Sequence, residues 1–278
     1  MPPVLTVCGP TWRRLALLCA AVVMVSPVVM LPRYSHAGQT DLRQTAQPAK
    51  QAYAGLDLSI DGLMPGMTYD AVKQRLDHLA ATSKAQRVEI IPQAGTASLN
   101  GSSGSMSSKP FPTSLRLVEH LAGLNLRVWF ATPATGGTAT TIEEGMFYRS
   151  PMAKPATAEF KRSLAERFGP PSASTGDSLL PDGVRTEKLI WNFGGVGRIP
   201  CDRQACEIAT APNTLDTLPN LEKRLERGVC MIVTVSVSTY PDDPGHVGAY
   251  NVIIEDVASE VLTLQEARKQ LEAAVGKP

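Results

Sequence analysis

The chain has 278 residues, of which 27 are Lys or Arg and 26 are Asp or Glu, for a formal net charge of +1. That balance, with no basic block, offers nothing to neutralise a phosphate backbone and excludes nucleic acid as an expected partner; a polybasic membrane patch is absent too. The length allows one large domain or two small ones.

Residues 1–37 read as an export signal. Arg13 and Arg14 precede the uncharged run Leu15–Leu31, and Ser35-His36-Ala37 places small residues at −3 and −1 of a peptidase site. The run is at the short end for a membrane span, and Pro27 interrupts it. Cleavage after Ala37 is the first expectation; the alternative is an uncleaved anchor with both arginines on the cytoplasmic side. Either way the rest of the chain is expected in the periplasm or another extracytoplasmic space, meeting the membrane only through this segment. Its removal takes Arg13, Arg14 and Arg33 and no acidic residue, leaving a slight acidic excess.

Residues 38–55 are polar and aperiodic, a flexible leader. A single α+β domain is expected over 56–278. Leu56 to Ile60 alternates like the start of a strand. Thr68 caps a helix whose apolar positions Val72, Leu76 and Leu79 form one stripe. A strand follows at Arg87–Ile91, and then the Gly- and Ser-rich stretch 93–110, expected as a mobile loop. Strands are expected at Leu115–Leu121, Asn125–Ala131 and Thr141–Arg149. In the middle one Leu126, Val128 and Phe130 alternate with Arg127, Trp129 and Ala131, the pattern of a half-buried strand.

A second helix starts at Thr157, carries Phe160, Leu164 and Phe168 on one face, and ends at Gly169 before Pro170-Pro171. Strands are expected at Glu187–Phe193 and Gln204–Ala209, and a short helix through Leu218, Leu221 and Leu225 stops at Gly228. Val229–Ser238 and Ala249–Val257 make a hairpin around the turn-forming loop Thr239–His246. Thr263 and Glu266 form a capping box for the last helix. The order helix, strands, helix, strands, helix departs from the alternation of a parallel doubly wound sheet. It predicts antiparallel sheet with helices packed on one face, in two related halves, 56–150 and 151–278.

The phrase Gly66-Met67-Thr68 followed by Val72 and Leu76 resembles the helix entry of the SmpA/OmlA (BamE-type) envelope proteins and of the related β-lactamase-inhibitor-protein-like fold. Arg167-Phe168-Gly169-Pro170-Pro171 resembles the exit from such helices. The same pattern is similar to that of uncharacterised exported bacterial proteins. The resemblance covers about 30 residues, and here entry and exit fall on different helices. It implies a helix-and-antiparallel-sheet module that binds other envelope proteins, and it brings no catalytic residues.

Cys201, Cys206 and Cys230 lie beyond the signal. In an oxidising compartment a Cys201–Cys206 disulfide is expected, closing a short loop worth about 2 kcal/mol; pairing either with Cys230 closes a longer loop worth about 1 kcal/mol more. No metal and no cofactor are expected. His78 and His120 lack partners at metal-ligand spacing. No Gly-x-Ser-x-Gly is present, and Gly194-Gly-Val-Gly197 precedes no helix. Asp242, Asp243 and His246 share one loop and are the candidate polar site of an extracytoplasmic hydrolase. Trp129 and Trp191, both in strands, are the candidate anchors for a protein partner if they project from an open sheet face. The adjacent carboxylates Glu143-Glu144 suggest an edge strand. The chain therefore reads as a protein-binding or scaffold module, with a hydrolase or a small-ligand-binding protein as the alternatives.

Overall fold

The computed structural model describes residues 57–83, 88–96, 98–101, 104–194, 197–199 and 218–275. The signal, the leader, Cys201, Cys206 and the expected strand Gln204–Ala209 lie outside them. Among the described residues no helix is long and apolar enough to cross a membrane.

The fold is α+β, built on one nine-stranded antiparallel sheet. Its first half is α1 (Tyr69–Thr82), β1 (Val88–Gly95), the hairpin β2 (Ser98–Gly101) and β3 (Gly104–Ser107), β4 (Phe111–Glu119), β5 (Leu124–Phe130) and β6 (Ala139–Phe147). The second half is α2 (Thr157–Phe168), β7 (Ala173–Leu179), β8 (Arg185–Gly194), β9 (Gly197–Ile199), α3 (Leu218–Glu226), β10 (Met231–Thr239), β11 (Ala249–Asp256) and α4 (Val257–Val275). Strand order is β1-β4-β5-β6-β11-β10-β8-β7, with β9 on β8 and β2–β3 paired separately. Each half is thus a helix followed by a four-stranded meander, and the last strands of the two meanders join at the centre.

Register makes the relation between the halves specific. In the β6–β11 pair, Ile142 faces Ile254 and Met146 faces Tyr250, with Glu144 opposite Val252 between them. The backbone ties that seat the two helices correspond in the same way. Thr68 bridges to Thr138 and Ala156 to His246; Ala139 donates to the Met67 carbonyl at 2.8 Å and Val247 to the Pro155 carbonyl at 3.0 Å. A pseudo-two-fold axis therefore runs through the Glu144–Val252 pair.

Strand alternation puts Leu115, Leu126, Val128, Phe130, Ile142, Val252, Ile254, Val233 and Trp191 on one face, in one core with Val72 and Leu76 of α1 and Leu164 and Phe168 of α2. Burying each of these large side chains contributes roughly 1.5–3 kcal/mol. Thr68 caps α1, its hydroxyl accepting from the Ala71 amide at 3.3 Å. The cleft between α1 and α2 is filled by the chain itself. Ile60 and Leu63, 1% and 0% exposed, close a tight turn through Asp61 and Gly62, both at positive φ. Arg75 of α1 donates to the Asp61 carbonyl at 2.5 Å and Arg167 of α2 to the Asp57 carbonyl at 3.2 Å, clamping this turn from both sides. Residues 57–59 are therefore not strand, and Ile60 and Leu63 plug the core.

Helices on one face describes α1 and α2 only. Ile190 and Ile232 point the other way and pack with Leu218 and Leu221 of α3 and Val257, Val261 and Leu264 of α4. This second layer covers the β8–β10 end of the opposite face, and α4 runs on across β6 to contact the β2–β3 hairpin. α4 also begins earlier than its capping box suggests. The Asp256 carboxylate accepts from the Ser259 amide at 2.9 Å and hydroxyl at 2.8 Å, so the helix grows straight out of β11. Thr263 lies inside it and donates to the Ser259 carbonyl at 2.8 Å. Thr157 is likewise the first residue of α2, not its cap: the Ala156–His246 bridge and the Thr157 amide bond to the Gly245 carbonyl, 2.9 Å, do the capping through backbone. Within 93–110 the chain forms the β2–β3 hairpin where a structureless loop is expected, because two short strands pair locally at little closure cost.

Candidate functional site

Glu143 and Glu144 lie at the centre of the sheet, not at its edge. Glu144 faces the α1/α2 core, where Tyr250 donates its hydroxyl to the Glu144 carboxylate. Tyr250 in turn packs on Phe160 and Tyr148, with ring centroids 4.9 and 6.1 Å away. Burial raises the Glu144 carboxyl above its ordinary value, the Tyr250 hydroxyl and Arg167 opposing that shift. Burial and the Glu144 charge raise Tyr250 as well.

The loop residues divide. Asp243 Oδ1 is 2.6 Å from His246 Nδ1, and Lys154 donates to Asp243 Oδ2 at 3.2 Å while lying over the Tyr240 ring. Asp242 is exposed and stands apart. The hydrogen bond from His246, with help from Lys154, lowers Asp243 below the usual carboxylate range. These contacts fasten the β10–β11 loop to the start of α2, alongside the backbone bonds already described. Among the described residues no group of His, Cys, Asp and Glu has metal-holding geometry.

The two tryptophans sit on opposite faces. Trp191 is 0% exposed, donates its indole N–H to the Gly169 carbonyl at 2.8 Å and packs on Phe168. It therefore closes the core. Trp129 points to the other face and is half-buried, with the Arg127 guanidinium 3.5 Å above its ring.

That other face is the candidate site. Its upper row is Ser114, Trp129, Thr141, Glu255 and Ile232; all but the half-buried Trp129 are buried, Thr141 donates to Glu260 of α4 at 3.4 Å, and Arg224 of α3 lies 3.8 Å from Glu255. Below it run two half-exposed rows of cross-strand neighbours. One is Arg116, Arg127, Glu143, Ile253 and Thr234; the next is Asn125, Gly145, Asn251 and Ser236, ending at Lys188. Arg127 Nε donates to the buried Ser114 hydroxyl at 3.3 Å, and its terminal nitrogen donates to the Gln93 side chain. Arg116 donates to Asn125, and Asn251 to Glu143 at 3.2 Å. Burial lowers the Arg127 pKa, with Glu143 opposing and Arg116 adding to it.

No family model, curated protein or solved structure matches the chain. The site is therefore read from its own chemistry, a preorganised polar floor walled by α4. Arg127 and Asn251 are not singled out by the sequence; a signal for Arg127 lies in the polar half of the alternation in 125–129. Cys230 is buried, at 6% exposure, just before β10.

Proposed function

We propose that this is an exported module that holds another envelope protein against the uncovered face of its sheet. The observation that carries the reading is the asymmetry of the two faces. One is closed by α1, α2 and the Ile60–Leu63 plug. The other presents two rows of half-exposed side chains, of which Arg116, Arg127, Asn125, Glu143 and Asn251 are held by hydrogen bonds, with Trp129 stacked beneath Arg127. Rigid, prepaid side-chain order is what lowers the entropy cost of docking, and Trp and Arg are the residue types that anchor protein interfaces. The signal-like residues 1–37 support a place outside the cytoplasm.

The test is site-specific photocrosslinking in cells making the full chain. A crosslinker at Ser236 or Lys188 on the open face is expected to give one defined adduct in the envelope fraction, lost when Trp129 is changed to Ala. The same crosslinker at Arg162, exposed on α2, is expected to give none. Equal labelling from both faces, or none from either, removes the reading.

The pairing of Cys230 bears on the same placement. Non-reducing peptide mapping of the exported protein is expected to join Cys230 to Cys201 or Cys206, the longer-loop alternative. A free Cys230 beside a Cys201–Cys206 bridge would overturn that expectation.

A further inference from the structure

Arg116 and Arg127 are direct register partners on β4 and β5, and both side chains project to the open face. Like charges directly opposite one another weaken a sheet, so folding alone gives no reason to place two guanidiniums there. The protein neutralises them only in part. Their hydrogen-bond partners are neutral: the Asn125 amide for Arg116, and the Ser114 hydroxyl and Gln93 amide for Arg127. Among the described residues neither guanidinium is in a salt bridge. Glu143, across from Arg127 on β6, is engaged by Asn251 and is one carboxylate beside two guanidiniums.

The neutral contacts fix both groups without discharging them. Trp129 supports the Arg127 plane from below, and Arg116 is held through Nε, which leaves its terminal nitrogens for a ligand. Lys188 adds a third cation at the far end of the face. Guanidinium forks match carboxylates bidentately, and two side by side accept an acidic side chain with more donors than one lysine provides.

We infer that the Arg116–Arg127 pair is a clamp for an Asp or Glu side chain of the docked partner, so that the partner presents an acidic segment to this face. The inference rests on the proposed docking role of the open face and names the chemistry of what docks.

The test uses protein purified from cells expressing the full chain, with a fluorescein-labelled decaglutamate peptide as probe and anisotropy as readout. Saturable binding is expected, weakening as salt rises. Arg116→Gln and Arg127→Gln are each expected to weaken it 10-fold or more. Arg162→Gln, on the opposite side, leaves it unchanged, and a decalysine peptide does not bind. Arg116→Lys keeps the charge but loses the fork, and is expected to fall between wild type and Arg116→Gln. Thermal melts separate a clamp from a structural pair: because repulsion is relieved, Arg116→Gln should melt no lower than wild type. Binding that ignores both Gln variants, binding lost equally in Arg162→Gln, or an Arg116→Gln protein that melts well below wild type would each overturn the clamp. If the open-face photocrosslinks form while decaglutamate ignores the arginines, the docking role stands and the clamp falls.

Discussion

Replacing Trp191 with alanine is expected to cost about 3–5 kcal/mol of folding stability, the range for deleting a large buried aromatic. Trp191 is 0% exposed, packs against Phe168 with ring centroids 5.4 Å apart and donates to the Gly169 carbonyl. That bond holds the residue where α2 turns into β7, so the variant loses both packing and the fixed exit of the helix. Trp129→Ala should behave differently. Its ring is half-buried, and its Arg127 stack is worth about 0.5–1 kcal/mol at an exposed site. The stability cost should stay near 1–2 kcal/mol, while partner capture on the open face is lost. Urea unfolding of both variants, together with the crosslinking assay, checks the pair. Equal stability losses would mean that Trp129 is also a core residue, and would take away the main anchor of the open face.

This contrast shows where the sequence was informative. Alternation in β5 already set Trp129 against Phe130, because side chains on a strand point to opposite faces. It did not say which face would be covered, since that depends on elements far away in the chain. In β8 the stretch Leu189–Gly194 is buried on both faces, because α3 and α4 back it while α2 covers its front. Such a run carries no alternation, and Trp191 could not be placed from it. β7 was missed for the opposite reason: an edge strand of Ser, Thr and Gly has little to bury and no period. The helix α1 was legible because cap and stripe agree, and the β10–β11 hairpin because its apolar runs flank a dense turn.

The pseudo-two-fold relation was visible only as a repeated order of elements. Nothing in the residues of β6 and β11 repeats: Glu144 faces Val252, and Ile142 corresponds to Tyr250. The relation is kept by backbone, through the paired ties Met67–Ala139 and Pro155–Val247, and backbone bonds leave almost no trace in sequence. The centre of the sheet was free to become asymmetric. It did so by placing a carboxylate and a phenol where the other half has aliphatic side chains.

That exchange has a measurable consequence. Glu144 is held above its ordinary pKa chiefly by burial. A carboxyl raised in the folded state favours folding when protonated. Its contribution is therefore fully present below the unfolded pKa and is lost as pH rises through the folded one. Glu144→Gln keeps an acceptor for the Tyr250 hydroxyl and removes the buried charge. It should unfold at higher urea concentration than wild type at pH 7, and the gain should vanish below about pH 4, where Glu144 is neutral. Tyr250→Phe should do the reverse, taking the donor from a half-buried carboxylate at a cost of about 1–3 kcal/mol at pH 7 and less at pH 4. In Glu144→Gln the same Tyr250→Phe change should be milder at pH 7, because the acceptor it strands is no longer charged. A Glu144→Gln variant weaker than wild type at pH 7, or a difference between the two that does not move with pH, would mean that the carboxylate stabilises the pseudo-two-fold junction instead of straining it.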